Sequence, residues 1–408
     1  MTAAQASKTV QRCALRARPK SVLIVTTVPA TVNTFLTPYI EHFHRLSWRV
    51  EVATGPGELS ERVLNAVRAV HEIPWTRSPT DLIQVAQSLR AIRRVATGGQ
   101  YDIVHVHTPI AAGVTRMALA TVGRDRRPAV VYTAHGFHFM PGQPWRRRIA
   151  PELVEWAAGK FTDRLVVINE ADRQSATRLG LVKPDSLISM PGIGLDLEWY
   201  DPTPEMLTRS QAVRADMGLA DDAVLLTMIA ELFPRKGPQD ALAALARMDD
   251  PRVHLAFAGT GPYRDDLVSM AHDFELIERV HFLSHVADVR PLILASRATT
   301  LPSYREGLSR SVLESLALCV PVIGSNIRGI ADSVGHDGGI LVPPGDVDAL
   351  SAAFAAIVAS TPYTHEERTA LRTRLAQYSI ESLIRRHEQL YDGLRATPRS
   401  HRTRALRM

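Results

Sequence analysis

Cysteine is nearly absent from these 408 residues: Cys13 and Cys319 are the only two. A disulfide framework is excluded, and a reducing compartment fits. No apolar run reaches the roughly 18–20 residues that a membrane span needs. The first twenty residues lack the apolar block of a secretory signal. They also lack acids, as do residues 395–408, and each stretch carries five bases. Without those ten, 38 bases face 42 acids, so the net charge of +6 belongs to the ends. Residues 1–19 and 395–408 are therefore expected to be basic tails, suited to an anionic surface or serving only to solubilise. The remainder is acidic and has no basic patch with interleaved aromatics, so no nucleic acid partner is expected. There is no convincing Asp-x-Asp metal site; "DLE" at 196–198 falls in an expected linker. Internal repeats and low-complexity blocks are missing too.

What is present is alternation. Short Val- and Ile-rich runs stand at 21–28, 48–54, 102–108, 129–134 and 164–169, with helical patterns between them such as 80–97 and 109–122. Strands buried on both faces of a parallel sheet read this way. The alternation pauses around 190–206, where Pro191, Gly192, Gly194, Pro202 and Pro204 punctuate the chain. A second series follows at 223–230, 252–259, 279–284, 298–302 and 320–325. The expected architecture is α/β with two doubly wound domains, residues 20–195 and 207–378, joined by a linker at 196–206. Ligands of open α/β sheets bind beyond the carboxyl ends of strands, so two such edges facing one cleft make a site.

One stretch, "SYREGLSRSVLESLALC", concentrates candidates there. Glu306 falls in the loop leaving a strand, and Glu314 falls inside a helix with apolar residues at Leu308, Val312, Leu313 and Leu316. A helix would set the two carboxylates roughly 12 Å apart along its axis and about 80° around it. That geometry is poor for acid and base on one bond and good for clamping an elongated ligand. The free N–H groups near Leu308 to Arg310 would attract a phosphate between the two. A sugar, a diphosphate and a ribose fit this order. The plain alternative is a helix end with one acid favouring the dipole and another on a solvated face.

The stretch "EGLSRSVLE" resembles the Glu-x7-Glu motif of the family 4 retaining glycosyltransferases, which have the GT-B fold of two Rossmann-like domains. "AELFPRKGPQDALAAL", "FAGTGPYRDDLVSMA" and "GILVPPGDVDALSAAF" resemble further family segments in the expected order. "YDIVHVHTPIAAGVTRMAL" and "VVYTAHGFHFMPG" resemble bacterial members that build capsular and exopolysaccharides. The resemblance spans roughly 20–394. It implies transfer of a sugar from a nucleotide diphosphate donor with retention, uridine being the expected base and guanosine the alternative. It implies no metal and no cofactor. By motif position Glu306 contacts the transferred sugar, Lys236 neutralises the leaving diphosphate, and His135 orients the reacting ends. Arg235 stands beside that lysine. Gly307, Leu308 and Ser309 offer backbone to sugar and phosphate, and Glu314 holds the ribose. His107 is expected to line the cleft, and Asn33 with Thr34 to face the acceptor. Two departures stand out. Glu231 occupies a position where the family usually has Arg, and the turn "TTVPATVNTF" lacks the family's glycine pair.

The acceptor expected from the resemblance is a lipid-linked or other glycan. The segment 137–161 joins Phe137, Phe139, Met140 and Trp145 to the bases Arg146 to Arg148, and so suits an anionic membrane surface. Packing of Ile149 and Trp156 on the sheet is the alternative. The helix at 379–394 is expected to cross back to the first domain. The expected location is cytoplasmic, peripheral on the inner face of the cell membrane. Two rival readings are a nucleotide-sugar 2-epimerase of the same fold and a protein binding nucleic acid through its tails.

Overall fold

A computed structural model describes residues 20–76, 81–123, 126–139, 144–192 and 194–396. Residues 1–19 and 397–408 of the basic tails, and Met140, lie outside the described residues, and the last helix takes in the first two residues of the expected C-terminal tail. Seven strands form the first sheet: β1 (Ser21–Val25), β2 (Arg49–Thr54), β3 (Ala69–Glu72), β4 (Ile103–Val106), β5 (Ala129–Ala134), β6 (Arg164–Val167) and β7 (Leu187–Ser189), in the order 3-2-1-4-5-6-7. Six form the second: β8 (Val224–Ile229), β9 (Val253–Ala258), β10 (Val280–Phe282), β11 (Ala298–Leu301), β12 (Val322–Ser325) and β13 (Gly339–Val342), in the order 10-9-8-11-12-13. Every pairing is parallel. Each sheet reverses direction of winding beside its first strand, which opens a crevice between β1 and β4 and another between β8 and β11.

The helices that bear on the site are α1 (Thr37–Arg45), α2 (Trp145–Gly159), α3 (Glu170–Arg178), α4 (Arg310–Ala317) and α5 (Ile380–Ala396). The strands of the first sheet are buried on both faces. One face packs Leu23, Val104, Val130 and Tyr132 under helices of its own domain. The other packs Val22, Ile24, Ile103 and Val131 against α1 and against Leu383, Leu390, Tyr391 and Leu394 of α5. The C-terminal helix thus completes the core of the N-terminal domain. The two passages between domains run side by side: Leu195 donates its N–H to the Tyr378 carbonyl at 2.9 Å, and Ile380 donates to the Leu195 carbonyl at 3.0 Å.

The segment 137–161 divides differently from the expectation. Phe137 and Phe139 stack at 4.9 Å inside the first core, so they present nothing to a membrane. Their turn is held in by Asp172 and Arg328, described below. Trp145, Ile149, Leu153 and Trp156 instead stand exposed along α2.

Leu383 is fully buried in a core built from both ends of the chain. Leu383→Ala is expected to cost about 2–5 kcal/mol by leaving a cavity. Urea unfolding should show it, and a loss under about 1 kcal/mol would mean that α5 is only loosely docked.

Candidate functional site

The strand ends converge. The turn after β8 carries Lys236, and Gly237 follows it with φ of +76°. A Cβ at Gly237 would lie 2.1 Å from the Pro302 carbonyl oxygen. Only glycine lets the turn press so close to the loop after β11. That approach places Lys236 Nζ 2.6 Å from Glu306 Oε1, and Ser303 Oγ donates to the same oxygen at 2.9 Å. Glu306 and Lys236 are both largely buried. Ser303 had no signal in the sequence beyond its place three residues before Glu306.

Glu314 sits inside α4, as its position required, and turns to different partners. Its Oε1 accepts from Tyr200 Oη at 2.7 Å and from Arg310 Nε at 2.8 Å. The two glutamates thus act at separate points. Between them α4 begins with Ser309 in extended conformation and with no side chain capping its first turn. The N–H groups of that turn are available to an anion. Arg235 is placed otherwise: its guanidinium is half exposed and pairs with Glu231 at 3.1 Å. The acid that stands where the family has Arg is therefore neutralised locally, and Lys236 is the cation brought to Glu306.

Gly307 meets the first domain. A Cβ on it would lie 2.1 Å from the His135 carbonyl oxygen, and one on Gly136 would lie 3.2 Å from the Gly307 Cα. Leu308 reaches Gly192 in the same seam. His135 thereby stands at the boundary of both domains. His107 Nδ1 lies 3.4 Å from His135 Nε2, with the rings stacked at 5.6 Å. Behind them His105 stacks on His107 at 4.1 Å, bonds Tyr391 Oη at 2.6 Å through Nδ1, and bonds Thr133 through Nε2 at 2.7 Å. His387 of α5 completes the group and donates Nδ1–H to the Leu383 carbonyl at 2.8 Å. These rings border a cavity of about 20 Å³, room for one water. Burial holds all four imidazoles neutral. It pulls His135 and His387 down to about 4 and holds His105 and His107 well below the usual imidazole range, with neighbouring imidazoles adding to the effect at His105, His107 and His135. His387 escaped the sequence reading because nothing local ties it to β4.

Asn33 serves the backbone: it donates to the Glu58 carbonyl at 3.1 Å and accepts from Ser60 N–H at 2.9 Å. It still borders a hollow of about 790 Å³, with Thr34, Trp199, Arg310 and Arg385. Among the described residues no three His, Cys, Asp or Glu are arranged to hold a metal ion. No helix among them is long and apolar enough to cross a membrane.

Residues 32–191 match the family described as Glycosyltransferase Family 4, and residues 210–380 match Glycosyl transferases group 1. A Bacillus subtilis (strain 168) protein named as a glycosyltransferase, EpsD, is 33% identical over 341 residues, 82% of this chain and 86% of its own. The UDP-Gal:alpha-D-GlcNAc-diphosphoundecaprenol alpha-1,3-galactosyltransferase of Escherichia coli is 27% identical over 307 residues, 74% of this chain and 77% of its own. The crystal structure of Anabaena HepE with UDP and glucose shares the fold with a TM-score of 0.74 at 17% identity, covering 92% of this chain and 100% of that one.

Above pH about 6.5 the unfolded imidazoles are neutral too, and the buried cluster costs nothing. As pH falls towards 4 the unfolded chain binds protons that folded His387 and His135 refuse, so stability is lost across that window. Melting temperature is expected to fall from pH 7.5 to 5.0 in the wild type and to fall less in His387→Gln. Equal falls in both would remove His387 from the effect.

Proposed function

The chain belongs to the family 4 glycosyltransferases of GT-B architecture, and from that premise we propose a retaining transferase that moves a sugar from a uridine diphosphate donor to a lipid-linked or glycan acceptor in surface polysaccharide or glycolipid synthesis. The observation that carries it is the Lys236–Glu306 pair at the end of β11, with an uncapped helix start and Glu314 following in order. In this reading the diphosphate lies on the first-turn amides of α4, and Lys236 offsets the charge that grows on it as the glycosidic bond breaks. Glu306 faces the sugar and steadies the developing positive charge at its anomeric carbon. Glu314 holds the ribose hydroxyls. His135, kept neutral, bonds a sugar hydroxyl without adding a cation beside the oxocarbenium-like centre. The acceptor attacks the face the diphosphate leaves, and a phosphate oxygen takes its proton. Fixed donors supply the charge balance, so no metal and no cofactor enters this scheme. The bound nucleotide and glucose of HepE, and the donor and acceptor that the Escherichia coli enzyme is named for, support uridine and a lipid-linked acceptor.

Thermal shift against uridine and guanosine diphosphates tests the donor site. Uridine diphosphate is expected to stabilise the wild type and not Glu314→Ala. Glu306→Ala and Lys236→Ala should each lower turnover about 100-fold or more while the protein still melts cooperatively. No shift with either nucleotide, or full turnover in either variant, would sink the assignment.

In the same reading the acceptor is met at a membrane on which the exposed face of α2 lies. Trp145, Ile149, Leu153 and Trp156 are all near or above half exposed, and Lys160 lies 3.9 Å over the Trp156 ring. With Arg146 beside Trp145, this is an apolar stripe edged by cations, the pattern of a helix lying on an anionic bilayer from the cytoplasmic side. Sedimentation with phosphatidylglycerol vesicles is expected, weakening at high salt and about five-fold in the double variant Trp145→Ala/Trp156→Ala. Equal binding by the variant would place the contact elsewhere.

A further inference from the structure

Arg328, in the loop after β12, belongs to the second domain and spends its guanidinium on both. Its Nη1 pairs with Asp172 of α3. Its Nη2 donates to the Phe137 carbonyl at 2.8 Å, and its Nε donates to the Glu306 carbonyl at 3.3 Å. Arg328 and Asp172 are 8% and 0% exposed at their side chains. Asp172 is itself fixed from the first domain: Asn169 Nδ2 donates to it at 2.8 Å and Phe137 N–H at 3.3 Å. Asn169 Nδ2 also reaches the Gly307 carbonyl at 3.3 Å. One planar fork therefore joins the backbone of Glu306 to the backbone two residues past His135.

We propose that Arg328 is a positioning residue, latched to Asp172 across the cleft, that sets Glu306 in register with His135 when the two domains close. This rests on the transferase reading for its kinetic consequence, though not for its geometry. Three features carry it. Fully burying an ion pair is expensive, and such pairs add little to stability, so a register role fits better than a staple. The burial shows in both partners, raising Asp172 and lowering Arg328 from their ordinary values in spite of their attraction. The contacts also end on two carbonyls next to the reacting groups, where a displacement of about 1 Å can cost about 100-fold in rate. A lysine has the charge but no fork to hold three acceptors at once.

The test uses the full chain with Arg328→Lys, Asp172→Asn and the double variant. Each single variant is expected to lower kcat about 100-fold while the dissociation constant of uridine diphosphate moves less than about threefold. The double variant should be no worse than either, because one link is broken in all three. Small-angle scattering without ligand should show a larger radius of gyration in all three than in the wild type. An unchanged kcat in Arg328→Lys, or losses that multiply in the double variant, would overturn the latch. Should Asp172→Asn not fold, Arg328→Lys decides alone. Should the wild type turn over no nucleotide sugar, the transferase reading fails separately. Scattering then decides the latch, and an unchanged radius in the variants ends it.

Discussion

There is no room for a methyl group between His135 and Gly307. A Cβ there would lie 2.1 Å from a carbonyl oxygen, so two backbones from different domains touch with nothing between them. Everything else at the site is arranged around that contact. Gly136 supplies the matching absence on the other side, with φ of +125° that a side chain would strain. The loop after β11 can carry Glu306 to the seam only because its own next residue has no side chain. The turn holding Lys236 reaches that loop by the same device at Gly237.

Close backbone approach expels water, and the electrostatics follow. Around the seam the charges are paired and low in exposure: Lys236 with Glu306, Arg328 with Asp172. Pairs of this kind gain little net stability, since desolvation offsets much of their attraction. What they provide is direction, because each partner has one geometry that satisfies its remaining hydrogen bonds. Histidines on the first domain side follow the opposite strategy. Burial keeps them neutral, so they shape the wall without contributing charge. A developing positive centre at the seam would meet a carboxylate on one side and uncharged rings on the other.

How much of this the sequence disclosed depends on the range of the interaction. Strands such as "SVLIV" and "VLLTMI" were legible because burial on two faces demands unbroken apolar runs. β3 escaped because it alternates half-buried and exposed residues, and β7 because none of its residues is fully buried. Glu306, Lys236 and Glu314 were legible through motif order and helical spacing. Their partners were not. Arg310 pairs with Glu314 across one turn of α4, while Ser303 and Tyr200 reveal themselves only in the folded chain. Arg328 and Asp172 lie 156 positions apart, and neither has a local pattern that sets it off from an ordinary surface residue. Asn33 is spent on backbone as well: from the helical turn Val32–Leu36 it holds the Glu58 carbonyl and the Ser60 N–H, a role that no local pattern announced.

The crossing helix α5 ties these observations into one mechanical picture. It begins where Ile380 pairs with Leu195, at the double passage between domains, and it ends with Tyr391 and Leu394 in the first core. On the way it presents His387 and Tyr391 to His105, whose neighbour His107 stacks on His135. Any rotation of one domain on the other must bend the chain at Leu195 and Ile380, because the rest of α5 is locked into the first domain by buried apolar surface. The hinge is therefore short, and it borders the seam, since Gly192, three residues before Leu195, meets both Leu308 and Tyr378. The passage fixes where the two domains can bend, and the Arg328 fork on Asp172 and on the Phe137 carbonyl fixes how they meet.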